Sequence, residues 1–174
     1  LQSKKFTQIR NWFMVELCLN SGLRVEEMTL LKHCNLLINE SRSSIVVIGK
    51  GNKKRAVWIS SAFKKTCWTY IEYKKRFGFS TDDESYLMNN LKGSKISKRA
   101  LQKFFEGILK NAGLSSHYHI HCLRHTYTTF LLKASNNNYR FAQKQLGHSS
   151  IRTTQVYAGV IDSVGKKAVE KLYK

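Results

Sequence analysis

The chain has 174 residues, of which 42% are hydrophobic, and this length and composition predict one globular domain with a sizeable core. Lys and Arg number 30 against 11 Asp and Glu, and the formal charge of +19 favours a polyanionic partner such as nucleic acid, although a lysine-rich solvated surface would give the same composition. A membrane-spanning helix is excluded, because the longest apolar stretch, WFMVELCL, contains Glu16 and falls short of the roughly 18 to 20 residues required.

The first half of the chain predicts two helices followed by a small antiparallel sheet. Phe6, Ile9, Phe13 and Leu17 recur at helical spacing, and residues 20–22 end that helix. A second helix begins near Arg24. Residues 34–38, 44–48 and 56–59 are rich in aliphatic side chains and predict strands, and the turn residues 49–52 join the last two as a hairpin.

The second half predicts mostly helix. Residues 62–77 and 97–111 have helical patterns, and a short edge strand is predicted at 86–88 between them. Further helices are predicted at 123–133, 139–146, 151–156 and 163–173. The fold class is therefore mainly α with a small antiparallel β-sheet (α+β), inserted between the second and third helices. Because no linker or internal repeat interrupts the chain, residues 1–174 are predicted to form a single domain.

Arg24 lies in the first turn of the second helix, where a cation opposes the positive end of the helix dipole. A phosphate would reverse this effect, since a guanidinium and the free N–H groups of a helix start both bind anions. Glu27, one turn further on, could hold the guanidinium in place. An ordinary surface pair between Arg24 and Glu27 is the alternative.

The predicted hairpin turn, VIGKGNKKR, is rich in cations. Glycines flank Lys50 on both sides and leave its side chain free to reach a scissile bond. Lys53, Lys54 and Arg55 are expected to contact DNA phosphates and to supply non-specific affinity. Basic hairpin turns are common, so this segment by itself is weak evidence.

The stretch HYHIHCLRH, residues 117–125, has the histidine density of a metal site. In a strand, His117, His119 and His121 would share one face. In a helix beginning near His121, that residue would instead lie beside Arg124 and His125. A guanidinium is a poor neighbour for a divalent cation, and no second set of closely spaced ligands is visible, so no metal is expected.

The four cysteines contain no CxxC pair and indicate a reducing, cytoplasmic compartment.

Near the end of the chain, His148 follows a predicted helix and Tyr157 lies in a short polar helix. A tyrosine in such a helix could act as a movable nucleophile. The chain has eight tyrosines, however, and a single tyrosine is most often a core or surface residue.

Taken in order, six residues resemble the catalytic signature of the tyrosine recombinases, most closely that of the Xer-type and integrase branch. They are Arg24 in SGLRVEE, Lys50 in IGKGNKKR, His121 and Arg124 in HCLRHT, His148 in LGHSS, and Tyr157 in TTQVYAGV. The resemblance runs from about Phe6 to Ala158. A proline often precedes the family's first active-site histidine, whereas this chain has Ile120 there and no proline at all.

The resemblance implies a site-specific recombinase that cleaves and rejoins DNA strands through a 3′-phosphotyrosyl intermediate, without metal or nucleotide cofactor. Tyr157 would be the nucleophile, and Arg24 and Arg124 would clamp the scissile phosphate. His148 would donate a hydrogen bond to a phosphate oxygen.

The remaining two residues would move protons, with His121 acting at the tyrosine and Lys50 protonating the departing 5′-oxygen. A free tyrosine has a pKa near 10, so phenolate at pH 7 costs about 4 kcal/mol unless nearby cations or a base offset it.

The resemblance also implies the partners: double-stranded DNA, a homotetramer on synapsed sites, a monomer without DNA, and no membrane. An N-terminal core-binding domain would precede this domain. Residues after Val160 resemble a segment that docks on a neighbouring subunit, or they close this domain's own core. Three alternatives stay open: a non-catalytic DNA-binding module of the same fold, a metal protein centred on residues 117–125, and a type IB topoisomerase.

Overall fold

The computed structural model describes residues 2–41, 43–49, 54–148, 150 and 152–155. The elements within these residues are α1 (Gln2–Ser21), α2 (Val25–Leu30), β1 (Leu36–Ile38), β2 (Ser43–Ile48), β3 (Lys54–Trp58), α3 (Ser61–Arg76), α4 (Lys98–Asn111), α5 (Ile120–Ala134), α6 (Tyr139–Leu146) and α7 (Arg152–Gln155). A 3-10 turn, His33–Asn35, precedes β1. The predicted fold class is therefore confirmed, and each helix predicted within the described residues is present.

Two sequence predictions have a different outcome. The edge strand predicted at 86–88 is wrong, because Tyr86 forms only an isolated bridge with Lys32. Leu87 and Met88 are both fully buried, so this segment enters the core and lacks the alternating exposure of an edge strand. The helix predicted at 163–173 lies outside the described residues.

The three strands form an antiparallel sheet in the order β1-β2-β3. Ile45 pairs with Leu36 on one side and with Val57 on the other, and Val47 pairs with Arg55. Ile45, Val47 and Val57 are buried, and successive side chains of a strand alternate between faces. Arg55 therefore lies on the same face of β3 as Val57, towards the core.

The main core is built around α1. Phe13 stacks on Tyr70 of α3 with ring centroids 3.9 Å apart, and both rings are fully buried. The core continues to the inner face of the sheet and to α4. A smaller cluster of Leu132, Ala142 and Leu146 packs α5 against α6. Because α5 also packs on α1, the end of α6 lies next to the end of α1.

The end of α1 depends on Gly22. Its φ of +61° is in the left-handed region that favours glycine, and its N–H donates to Cys18 O at 2.9 Å. A Cβ at this position would stand 2.3 Å from the Tyr127 ring of α5, so the close approach of the two helices requires glycine.

The helices that the structure describes include none long and apolar enough to cross a membrane.

Candidate functional site

Three arginines from separate parts of the chain meet at the C-terminal end of α6. Each donates a hydrogen bond to a backbone carbonyl there: Arg55 Nε to Gln145 O at 3.3 Å, Arg124 Nη2 to Leu146 O at 2.9 Å, and Arg24 Nη2 to Gly147 O at 3.2 Å. The last carbonyls of a helix have no intrahelical partner and form the negative end of its dipole. The end of α6 therefore gathers three guanidinium groups at one place.

Arg124 is the most deeply buried of the three, with 3% of its surface exposed. It projects from α5, and its Nη1 donates to Gly22 O at the end of α1 while its Nη2 donates to Leu146 O. The side chain thus links the ends of two helices through backbone carbonyls. Because hydrogen bonds to these carbonyls replace lost hydration, the charge of Arg124 is held in the interior.

Arg24 immediately precedes α2 and is paired with Glu27 as the sequence predicted. Glu27 Oε2 accepts the Arg24 backbone N–H at 2.8 Å, and Oε1 accepts from Nη1 at 3.2 Å. The Arg24 side chain is 39% exposed, whereas Glu27 is buried. One edge of the Arg24 guanidinium is therefore held by the protein while part of the side chain still reaches solvent.

Glu27 is also the partner of Arg55, whose Nη1 and Nη2 donate to its two carboxylate oxygens at 2.8 and 2.9 Å. Burial alone would raise the pKa of Glu27, but hydrogen bonds from Arg55 and from the Arg24 backbone, together with both positive charges, hold that pKa below its ordinary value. Glu27 is consequently a carboxylate at neutral pH and serves two arginines.

The predicted DNA contacts of the hairpin have different environments. Lys54 is exposed, while the Arg55 side chain is only 14% exposed and is occupied by Glu27 and Gln145 O. The assignment of either residue to DNA binding stays a prediction. Lys50 and Lys53 lie outside the described residues, and so does Tyr157.

His148 follows Gly147 at the end of α6 and is half-buried. Burial, and to a smaller extent the positive charges of Arg124, Arg24 and Arg55, lower the pKa of His148 to about 4. Its ring is therefore neutral at pH 7. The Nδ1 atom lies 2.9 Å from the hydroxyl of Thr154, a fully buried residue of α7.

His121 lies in the first turn of α5, so the helical arrangement predicted for residues 117–125 is correct and the strand arrangement is wrong. Its ring meets that of His125 edge-on at 4.9 Å. Partial burial lowers the pKa of His121, with smaller effects from His125 and Arg124. Among the described residues, no group of three or more His, Cys, Asp or Glu side chains could hold a metal ion.

A cleft of about 360 Å³ lies beside these residues, and its polar lining includes Arg24, His119 and His121 together with Lys98, which is paired with the carboxylate of Glu26. The structure thus brings Arg24, Arg124 and His148 to one end of α6 and places His121 on the same cleft as Arg24. Convergent donors of this kind suit a singly charged tetrahedral anion such as a backbone phosphodiester.

Sequence reasoning missed two residues that support the site. Gln145 is buried and bonds to the backbone N–H and carbonyl of Trp58 at 3.1 and 2.7 Å, and Thr154 contacts His148. A signal for Gln145 was available, since Ala142, Gln145 and Leu146 have the i, i+3, i+4 spacing of a buried helix face. A polar residue on such a face needs a hydrogen-bond partner.

Comparisons with known proteins support the same family. The chain matches the phage integrase family over residues 2–163. It is 35% identical over 163 residues to tyrosine recombinase XerC of Caldanaerobacter subterraneus subsp. tengcongensis, covering 93% of this chain and 44% of the relative. It is 38% identical over 155 residues to XerC of Haemophilus influenzae, covering 89% and 50%. The chain thus spans about half the length of the curated relatives it matches.

Solved structures share the fold. The XerH site-specific recombinase bound to its difH substrate in a pre-cleavage complex is 27% identical, with a TM-score of 0.73, and the match covers 90% of this chain and 46% of that one. The XerA recombinase is 25% identical, with a TM-score of 0.76, and the match covers 99% and 62%.

Proposed function

The chain belongs to the phage integrase family, and on that premise we propose that it carries the catalytic centre of a site-specific DNA recombinase. DNA strands are cleaved and rejoined through a 3′-phosphotyrosyl intermediate. The observation that carries this proposal is the meeting of Arg24, Arg124 and His148 at one end of α6, where Arg24 and Arg124 bond to successive carbonyls. Tyr157 is the proposed nucleophile.

The two arginines hold the scissile phosphate. Arg24 has one guanidinium edge fixed by Glu27 and keeps part of its side chain open to solvent, while buried Arg124 is set by two carbonyls. Phosphoryl transfer builds negative charge on the non-bridging oxygens. Donors that are fixed before the reaction stabilise that charge without reorganising, which is usually the largest contribution to the rate.

His148 is proposed to act as a neutral hydrogen-bond donor. Burial and, to a smaller extent, the surrounding positive charges keep the ring unprotonated at pH 7. When the Thr154 hydroxyl donates to Nδ1, the single ring proton resides on Nε2, which is then free to donate to a phosphate oxygen. The role requires no change of charge during the reaction.

The covalent step conserves bonds and therefore needs no nucleotide. The Tyr157 oxygen attacks phosphorus as the bond to the 5′-oxygen breaks. The phenol proton passes to His121, and Lys50 protonates the departing 5′-oxygen. Rejoining reverses each transfer. We include Lys54 and Lys53 as phosphate contacts outside the reacting centre.

The proposed partner is double-stranded DNA, bound by a homotetramer on two synapsed sites. The net charge of +19 favours a polyanion, and one structural neighbour is a recombinase bound to its DNA substrate. The chain covers about half of its curated relatives, so an N-terminal core-binding domain that completes a clamp around the duplex is part of the proposal.

A covalent-capture experiment tests the function. The longer protein that contains this chain is incubated with a pool of nicked suicide duplexes that have randomised flanks, and adducts that survive SDS are recovered and sequenced. The wild type should become linked to 3′-phosphate ends within an enriched sequence. The Tyr157→Phe variant should bind DNA equally well and form no adduct.

Other outcomes separate the alternatives. Binding without any Tyr157-dependent adduct would indicate a non-catalytic DNA-binding module. Adducts spread over unrelated sequences would indicate a topoisomerase-like activity. Linkage to 5′-ends would contradict the proposed intermediate.

A further inference from the structure

Arg55 is enclosed and paired with a carboxylate, whereas the more deeply buried Arg124 donates to backbone carbonyls. It lies on β3, on the inward face shared with Val57, whereas its neighbour Lys54 is exposed. Its two terminal nitrogens form a bidentate pair with Glu27 at 2.8 and 2.9 Å, and its Nε donates to Gln145 O at 3.3 Å. The guanidinium is therefore held on both of its donor edges by the protein itself.

The first connection from Arg55 leads to Arg24 through Glu27. The Glu27 carboxylate receives the Arg55 fork and, with the same two oxygens, the backbone N–H and the Nη1 of Arg24. A carboxylate fixed by a planar fork has one orientation, and that orientation sets the position of the Arg24 side chain.

The second connection runs through Gly147. A Cβ on Gly147 would stand 2.8 Å from the Arg55 guanidinium, so the glycine lets this group lie directly against the end of α6. The carbonyl of the same glycine accepts from Arg24 Nη2 at 3.2 Å. Both connections thus end at Arg24.

We propose that Arg55 is a positioning residue that fixes the Arg24 guanidinium for phosphate binding, through the shared Glu27 carboxylate and the packed Gly147 segment, and that it does not contact DNA. This inference rests on the proposed function. It also assigns different roles to the two cations of β3: exposed Lys54 contacts a phosphate, and Arg55 positions Arg24.

A double-mutant cycle between Arg55 and Arg24 tests this role. Arg55→Gln, Arg24→Ala and the double variant are compared in the longer protein, using the rate of adduct formation and the dissociation constant for the captured duplex. Arg55→Gln alone should slow adduct formation about 100-fold, as expected when a reacting group is misplaced by about 1 Å. In the Arg24→Ala background most of that loss should disappear, because Arg55 acts through Arg24.

The salt dependence of DNA binding tests direct contact. Each phosphate contact contributes about 0.9 to the slope of log K against log salt. Measured in the Arg24→Ala background, where no effect can pass through Arg24, Arg55→Gln should leave the slope unchanged, whereas Lys54→Gln, on the exposed face of the same strand, should reduce it by about 0.9. A reduction of that size for Arg55→Gln would overturn the proposal, and so would losses that add independently of Arg24.

Arg55→Lys separates positioning from general stability. Lysine keeps a cation beside Glu27 and restores resistance to unfolding, but it cannot form the planar fork, so adduct formation should stay slow. Full recovery of the rate with lysine would overturn the proposal. If Arg55→Gln fails to fold, the cycle is run with Arg55→Lys.

Failure of the proposed function has a different signature. A wild type that binds DNA without forming an adduct refutes the recombinase activity. The cycle measured on the dissociation constant then still decides whether Arg55 acts through Arg24.

Discussion

Two of the regions that bury basic side chains treat the charge differently. At the end of α6, Arg55 and Arg24 share the Glu27 carboxylate. On the far end of α3, Lys74 is 1% exposed and has neutral neighbours, with its Nζ donating to Tyr86 O at 2.7 Å and lying 2.9 Å from His33 Nε2. Burial lowers the pKa of Lys74 to about 8 and that of His33 to about 4.

The difference shows how the candidate site stays cationic. Where the acceptors are neutral, burial weakens the base, as at Lys74. Where a carboxylate and helix-end carbonyls accept, three guanidinium groups are retained against one carboxylate, and the excess of two positive charges suits a phosphodiester. Glu27 therefore allows several arginines to lie close together, and it also fixes the orientation of Arg24 and Arg55.

The largest expected effect in this comparison is that of removing Glu27. Glu27→Ala leaves Arg55 largely buried without its partner, and loss of one member of a buried pair costs about 3 kcal/mol of unfolding free energy. Urea denaturation of the 174-residue chain measures this loss of unfolding free energy. Adduct formation in the longer protein should also be abolished, since Arg24 loses its fixed orientation.

Glu26→Ala is the matched control. Glu26 lies on the same helix and pairs with Lys98, but both side chains are mostly exposed, at 69% and 52%. Exposed pairs contribute little to stability, so this variant should unfold like the wild type. Equal urea midpoints for the two variants would show that the buried pair does not stabilise the fold.

The next effect concerns the contact of Gly147 with Arg55. Gly147 and Gly113 have nearly the same backbone conformation, with φ of +65° and +66°, but only Gly147 has a neighbour in the space of a Cβ. Gly113→Ala should cost about 1 kcal/mol for the left-handed conformation alone, and Gly147→Ala about 2 kcal/mol because Arg55 must move as well. Thermal unfolding of both variants gives the difference, and equal losses would mean that Arg55 shifts freely.

Local patterns in the sequence were sufficient to predict most of the fold. Periods of 3.6 and 2 gave the helices and strands, and the Arg24 and Glu27 pair followed from one helical turn. The prediction of an edge strand at 86–88 failed because Leu87 and Met88 are both buried by surrounding elements, and no local sequence pattern indicates such burial. The resemblance to tyrosine recombinases is confirmed by the family match, while the roles of the six signature residues stay predictions.

The environment of Arg55 illustrates what sequence could not supply. The sequence predicts one common role, phosphate contact, for Lys53, Lys54 and Arg55. Strand alternation nevertheless places Arg55 with buried Val57 and apart from Lys54. Its partners, Glu27 and Gln145, lie far away in the sequence. Only tertiary packing determines which buried acid meets which buried base.

A smaller effect is expected in the other region, at Lys74. Lys74→Met leaves the Tyr86 carbonyl without its donor but also removes a buried charge, so a net cost of about 1 kcal/mol is expected. The folded pKa of about 8 lies below the ordinary 10.5, so the unfolded chain binds the proton more tightly. The advantage of wild type over Lys74→Met should therefore grow as pH rises from 8 to 10.5. Urea midpoints across that range test it, and a constant difference would contradict it.

Acid sensitivity should appear in both regions. His33 and His148 have folded pKa values of about 4, below the ordinary 6.5, so the unfolded state takes up protons first as the pH falls. The contribution of each neutral histidine to the free energy of unfolding is fully present above pH 6.5 and is lost as the pH falls through 4. His33→Gln and His148→Gln should each make the urea midpoint less dependent on pH in this window. Unchanged dependence in either variant would show that its histidine does not titrate there.

Inorganic phosphate should distinguish the two histidines. The pKa of His148 is lowered by burial and then by Arg124, Arg24 and Arg55, whereas that of His33 is lowered by burial and then by Lys74. An anion bound at the end of α6 neutralises part of the arginine charge, so it should raise the pKa of His148 and leave that of His33 unchanged. NMR titration of the imidazole signals with and without phosphate measures both. Equal shifts would indicate a general ionic effect, and absence of a shift at His148 would mean that phosphate does not bind beside these arginines.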